Sequence, residues 1–206
     1  MHICITGVSS GIGLHITQKL TPDHTLTGIS RRSIENRINL THIKGDIRDE
    51  NLLEKIAKES EAFDYIILNA GVAYFDSCEN ILPEQHREII ETNLLSTILF
   101  INVLLKYNKI KKGIIFIGSI AGKKSSQNGS SYAASKFGLR GFAMQLKNEQ
   151  RQLGIHIINP KIVSTELHKN SKIQIQGKYK ETSLESISST ITSILSGEEK
   201  RFEIDL

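Results

Sequence analysis

Apolar residues follow two alternating rhythms along the chain. Short β-branched runs, such as His2-Ile3-Cys4-Ile5-Thr6 and Tyr65-Ile66-Ile67-Leu68, give way to longer stretches whose apolar side chains recur every three or four positions. The first rhythm suits strands and the second amphipathic helices. Strands are predicted at 2–6, 25–29, 42–44, 65–68, 113–117, 155–158 and 201–204. Helices are predicted over 11–20, after Asp49, from Pro83 to about Tyr107, from Ser131 to Leu153 ending at Gly154, and over 184–195. Asp49 suits a helix start because its carboxylate can accept from orphan N–H groups, and Pro83 because it lacks one. The 65–68 run is apolar throughout, as expected of a parallel strand covered on both faces.

This alternation specifies an α/β fold: one doubly wound domain over residues 1–206, built on a mostly parallel seven-stranded sheet flanked by helices. Residues 168–182, rich in Lys, Gln and Ser, read as a mobile substrate loop. In such sheets ligands bind at the carboxyl ends of the strands, where the strand order reverses. Chemistry is therefore sought at strand ends.

With 39% hydrophobic and 23% charged residues, the 206-residue chain has the material for one core and is too apolar for disorder. Its unbroken apolar runs fall far short of the ~20 residues of a bilayer span, so no membrane role is expected. The net charge of +4 is spread over short clusters such as Lys111-Lys112 and Lys123-Lys124, and Trp is absent. That pattern offers neither a basic stripe nor stacking platforms, so no nucleic-acid partner is expected. Two cysteines and seven dispersed histidines give no metal-ligand spacing. Met1 to Thr6 already reads as a strand, so no leader is expected, and free thiols suit the cytoplasm.

Thr6-Gly7-Val8-Ser9-Ser10-Gly11-Ile12-Gly13 lies between the first strand and first helix. Glycines there allow a tight turn and close backbone approach to a pyrophosphate, and the helix amino end supplies N–H donors. The Gly-x-x-x-Gly-x-Gly spacing resembles the cofactor turn of the short-chain dehydrogenase/reductase family, which has a Rossmann-type fold. Further residues carry the resemblance over about 1–167. Asp46-Ile47 follows the third strand and Asn69-Ala70-Gly71 ends the fourth. Asn93 lies within Thr92-Asn93-Leu94, and Tyr132-Ala133-Ala134-Ser135-Lys136 begins thirteen residues after Ser119.

The resemblance implies a nicotinamide dinucleotide held by Gly7, Ser9, Ser10, Gly11, Ile12, Gly13, Asp46, Ile47, Asn69, Ala70, Gly71, Tyr132, Lys136 and Thr165. The second strand ends in Ile29-Ser30-Arg31-Arg32, with no carboxylate to accept from a ribose 2′-hydroxyl. Arg31 and Arg32 suit a 2′-phosphate by charge and fork geometry, which favours NADP(H) over NAD(H). The alternative is that both are solvated loop charges.

A free phenol, with a pKa of ~10, is a poor base at neutral pH. Lys136 follows Tyr132 by one helical turn, and its ammonium is expected to lower the phenol pKa. Tyr132 would then exchange a proton with the substrate oxygen and Ser119 would orient that oxygen. By resemblance, Lys136 also binds the ribose and Asn93 holds a relay water; Asn93 could equally serve helix packing alone. The expected activity is NADP(H)-dependent interconversion of a carbonyl and a secondary alcohol by hydride transfer, on a small-molecule substrate and without metal. The other reading is a dinucleotide-binding regulatory or scaffold protein with little turnover.

The chain departs from the family pattern at Pro160-Lys161, where the family has Pro-Gly before the Thr matched by Thr165. Lys disfavours dihedrals that Gly permits, so the nicotinamide contacts around this loop and Thr165, and the local shape of the substrate site, are expected to depart from the family's. The Gly154–Pro160 interval also looks about two residues short. His168, Lys169, Lys172, Lys178 and Lys180 would line the loop and suit a polar or anionic substrate. The helix from Pro83 carries Ile89, Ile90, Leu94, Leu95, Ile98, Leu99, Ile101, Val103 and Leu104, more than one apolar stripe, and predicts a homodimer or homotetramer.

Overall fold

In a computed structural model, the structure describes residues 1–35, 37–125, 127–165, 167 and 181–206. The expected substrate loop, with His168, Lys169, Lys172, Lys178 and Lys180, therefore lies outside the described residues apart from Glu181 and Thr182. Seven strands form one sheet: β1 (His2–Thr6), β2 (Thr25–Ser30), β3 (Leu40–Lys44), β4 (Phe63–Leu68), β5 (Ile110–Ile117), β6 (Gly154–Asn159) and β7 (Glu203–Asp205). Their order is β3-β2-β1-β4-β5-β6-β7, and every pairing is parallel. The order reverses at β1, which lies between β2 and β4 and makes their carboxyl ends the switch point.

Alternate side chains of the central strands feed two cores. Cys4, Ile66, Leu68, Ile114 and Phe116 join one. Ile3, Ile5, Ile67, Ile115 and Ile117 join the other, so both faces are covered. α2 (Glu50–Glu59), α4 (Ser96–Lys106) and α5 (Ser130–Glu149) close the first face; α1 (Gly11–Leu20) and α6 (Leu184–Ser196) close the second. Asp49 caps α2, accepting from the N–H groups of Asn51 and Leu52 at 3.0 and 3.3 Å.

Two helices differ from expectation. α5 stops at Glu149, because Gln150 leaves the helical region (φ −111°, ψ 60°) and Gly154 already opens β6. The long helix is three pieces: α3 (Pro83–Ile90), a π-helical turn (Glu91–Leu95) and α4. Together Pro83–Lys106 is long and apolar enough, by length and composition, to cross a bilayer, which a search for unbroken apolar runs does not register. In the fold it lies against the first core through Phe100, Ile101 and Leu104. The short interval before Pro160 is accommodated in register, with Gly113 opposite Gly154; a Cβ on Gly113 would lie 2.3 Å from the Gly154 carbonyl oxygen.

Candidate active site

The carboxyl ends of β1 and β4 are stitched together. Thr6 Oγ1 accepts from the N–H groups of Asn69 and Ala70, each at 3.0 Å, and Asn69 Nδ2 donates to the carbonyls of Thr6 (3.0 Å) and Gly7 (3.2 Å). Gly7 has φ +77°, and a Cβ there would come within 2.8 Å of Ala70 Cα. A Cβ on Gly13 would stand 2.1 Å from the Gly7 carbonyl oxygen. The turn can close against the Asn-Ala-Gly corner only with glycine at both positions.

Beyond this corner a cleft of about 1170 Å³ runs along the strand ends. It is lined by every residue proposed from the sequence for the site except Gly13 and Asn93. Thr92 also lines it, buried, with a side-chain hydroxyl that has no hydrogen-bond partner. A glycine cradle at a helix amino end, a long cleft and an unpartnered hydroxyl on its wall fit an elongated dinucleotide. Asn93 is committed elsewhere: its Oδ1 accepts from Val72 N–H (2.8 Å), while Nδ2 donates to Val72 O (2.9 Å) and Ser135 Oγ (3.1 Å). Its amide ties the loop after β4 to α5, which matches the packing alternative rather than a side chain facing the cleft.

At one end of the cleft β5 delivers Ser119, which accepts from Ala121 N–H at 3.1 Å and caps the short turn Ile120–Gly122. Tyr132 and Lys136 enter from the first two turns of α5, both buried. The Tyr132 phenol stands close to Ser119, and Phe75 packs on its ring with centroids 5.2 Å apart. Lys136 Nζ lies 5.8 Å from the Tyr132 ring centroid and donates to the Ile117 carbonyl at 2.8 Å. Burial pushes the Tyr132 phenol up to about 12, the Ser119 hydroxyl acting in the opposite sense. Burial alone brings Lys136 down to about 8. The lowering of Tyr132 expected from Lys136 is thus absent in this state: desolvation of the phenol dominates, and the ammonium is turned to a backbone carbonyl.

At the other end Arg48 clamps Asp46, with Nε at 3.1 Å from each carboxylate oxygen and Nη2 at 2.7 Å from Oδ2. That hydrogen bonding holds the Asp46 carboxyl below the usual range. Arg31 Nη1 donates to Glu88 Oε1 at 3.2 Å, and Glu88 Oε2 accepts from the Tyr74 hydroxyl at 2.6 Å. Glu88 and Tyr74 line the cleft and were missed from the sequence. The run after β2 has no carboxylate, but the fold brings one from α3. The signal available was helical spacing, since Glu88 precedes Thr92 by one turn.

The family model described as short chain dehydrogenase matches residues 1–176. The chain belongs to the short chain dehydrogenase family. It is 31% identical over 173 residues to a 3-dehydrosphinganine reductase of Arabidopsis thaliana, a match covering 76% of this chain and 52% of that one. It is 29% identical over 193 residues to a dehydrogenase/reductase SDR family protein 7-like protein of Dictyostelium discoideum, covering 82% and 61%. The chain thus spans little more than half the length of these two relatives. Among solved structures, a short chain dehydrogenase family protein from Francisella tularensis superposes with a TM-score of 0.88 at 24% identity, covering 100% of this chain and 96% of the other. A serine dehydrogenase complexed with NADP+ gives 0.87 at 21%, covering 100% and 94%. Both likenesses are of fold.

Within the short chain dehydrogenase pattern, Lys161 stands where the family has Gly. Among the described residues only Asn39 and Asn108 combine a side chain with positive φ, so Lys161 stays in an ordinary region. Its N–H donates to Thr182 Oγ1 at 3.0 Å, and Ile162 bridges to Glu181 in parallel. Thr165 lies against the turn, where a Cβ on Gly11 would meet its side chain at 3.3 Å.

Proposed function

We propose that this short chain dehydrogenase is an NADP(H)-dependent oxidoreductase that interconverts a carbonyl and a secondary alcohol. The observation that carries the reading is the meeting of Ser119, Tyr132 and Lys136 in the cleft, with Lys136 Nζ 5.8 Å from the Tyr132 ring centroid. The nicotinamide, when bound, supplies or accepts the hydride. Gly7, Ser9, Ser10, Gly11 and Ile12 would hold the pyrophosphate end, Asp46, Ile47, Ala70 and Gly71 the adenosine end, and Lys136 and Thr165 the nicotinamide end.

Ser119 orients the substrate oxygen toward Tyr132 Oη, and the phenol gives its proton to that oxygen during reduction. A phenol raised to about 12 by burial is fully protonated at neutral pH, as the reductive direction requires. Lys136 reaches the cleft beside Tyr132, where its ammonium can steady a phenolate left by proton transfer. Arg31 and Arg32 line the adenosine end and support a preference for the 2′-phosphorylated cofactor. Lys124 and Gln127 line the cleft with Tyr132 and support a small polar carbonyl compound as substrate. The unpaired thiols of Cys4 and Cys78 suit a cytoplasmic setting, and the apolar surface of the π-helical turn and α5 suits a homodimer or homotetramer. Assaying a panel of aldehydes, ketones and sugars with NADPH tests the activity. Oxidation of NADPH that depends on Tyr132 supports it. Cofactor binding without turnover on any member would favour a regulatory dinucleotide-binding protein.

A further inference from the structure

Arg31, Glu88 and Tyr74 come from three different elements and meet across the adenosine end of the cleft. Arg31 follows β2, Tyr74 lies in the loop after β4, and Glu88 projects from α3. Arg31 Nη1 lies 3.2 Å from Glu88 Oε1, and the other carboxylate oxygen takes the Tyr74 hydroxyl at 2.6 Å. Glu88 is the more sheltered partner, its side chain 22% exposed against 54% for Arg31. Arg32 lines the same end, and a further guanidinium, Arg48, is occupied by Asp46 at 2.7 Å and lies 3.7 Å from Glu91.

We propose that Glu88 is a specificity-determining residue: it holds Arg31, so a cofactor 2′-phosphate must draw Arg31 away while a 2′-hydroxyl leaves the pair intact. This rests on reading Arg31 as a ligand of the 2′-phosphate. A carboxylate and a phosphate compete for the same guanidinium donors. Tyr74 keeps Glu88 in place after Arg31 departs, so a second anion stays near the incoming phosphate. Glu88 therefore weakens NADP(H) selectively, and specificity is set by a repulsive group as well as an attractive one.

The test is calorimetric titration of NADPH and NADH into wild type, Glu88→Gln, Arg31→Ala and the double variant. Gln keeps an acceptor for Tyr74 and removes only the charge. Glu88→Gln should tighten NADPH by about two- to fivefold, the upper part of the range for releasing one partly exposed ion pair, and NADH by clearly less. In the Arg31→Ala background the gain in NADPH affinity should fall by at least half. Unchanged or weaker NADPH binding overturns the proposal, as does equal tightening of both cofactors. If Arg31→Ala weakens both cofactors equally, the reading of Arg31 fails and the proposal falls with it. If Arg31→Ala is selective for NADPH while Glu88→Gln is silent, only the role of Glu88 falls. Glu88→Ala, expected to move in the same direction, serves where the Gln variant does not fold.

Discussion

Tyr132 stands in the wall of the cleft close to Ser119, with Phe75 against its ring. Replacing it with Phe removes one oxygen and leaves the packing, so cofactor affinity should persist while turnover falls by about two to four orders of magnitude. Single-turnover kinetics beside a cofactor titration separates the two effects, and a near-normal rate would remove Tyr132 from the chemistry. Changing Arg31 and Arg32 together to Ala should weaken NADPH far more than NADH, because only NADPH carries the 2′-phosphate. Equal weakening, measured by titration, would show that neither guanidinium reads that group. At this scale the sequence is informative wherever a residue's role follows from its own strand end. Gly7, Ser119, Tyr132 and Lys136 all sit where the alternation of strands and helices placed them. Glu88 escaped because its partner Arg31 lies 57 positions away, and no local pattern encodes that meeting. Asn93 was ambiguous for a related reason: only the fold shows its amide spent on Val72 and Ser135.

β7 is an element of only three residues, yet its carboxylates reach into the scaffold of the site. Glu203 accepts from Arg140 Nε and Nη2 at 2.7 and 2.9 Å and from Asn159 Nδ2 at 2.8 Å. Asp205 accepts from Lys123 at 2.7 Å and from Asn159 at 3.0 Å. Arg140 lies one turn beyond Lys136 on α5, and Lys123 follows the turn capped by Ser119, so the edge strand braces both pieces that carry the proposed catalytic residues. The Arg140 guanidinium, by direct hydrogen bonding, holds the Glu203 carboxyl down to about 2 from 4.5. A folded-state value below the unfolded one contributes stability that is complete above the unfolded value and lost as pH falls toward the folded one. Glu203→Gln should therefore lower stability by about 1–2 kcal/mol at pH 7, allowing for solvent screening of a partly exposed pair. Between pH 4.5 and about 2 that deficit should shrink toward zero. Urea melts of both proteins across this window check it, and a deficit independent of pH would assign the loss to packing instead. The sequence read β7 as 201–204, close to the strand found, but a run of charged residues gives no hint of which partners it will meet.

For the whole molecule, the open question is what covers the apolar surface left outside the two cores. Leu95 at 45%, Phe137 at 46% and Met144 at 49% exposure project from the π-helical turn and from α5. On α5, Phe137, Gly141 and Met144 follow one another at spacings of four and three, which sets them on one face. A Cβ added at Gly141 would meet nothing within 4 Å, so this face is open at its centre and admits close approach of another helix. Arg140, beside this face on α5, is turned to Glu203. A two-fold partner crossing at Gly141 would set Phe137 of each chain toward Met144 of the other and bury the stripe from both sides. That assembly would also fix α5, which carries Tyr132 and Lys136, so oligomer formation and activity should be lost together. Light scattering at micromolar concentration should give at least twice the 23.0 kDa of the chain. Phe137→Glu puts a charge inside the proposed contact, where burial without a partner is strongly disfavoured. It should give a protein of monomer mass that melts at lower temperature and turns over more slowly. A wild-type mass of one chain, or a Phe137→Glu protein unchanged in mass, would leave the stripe as ordinary exposed surface and α5 held by the cores and β7 alone.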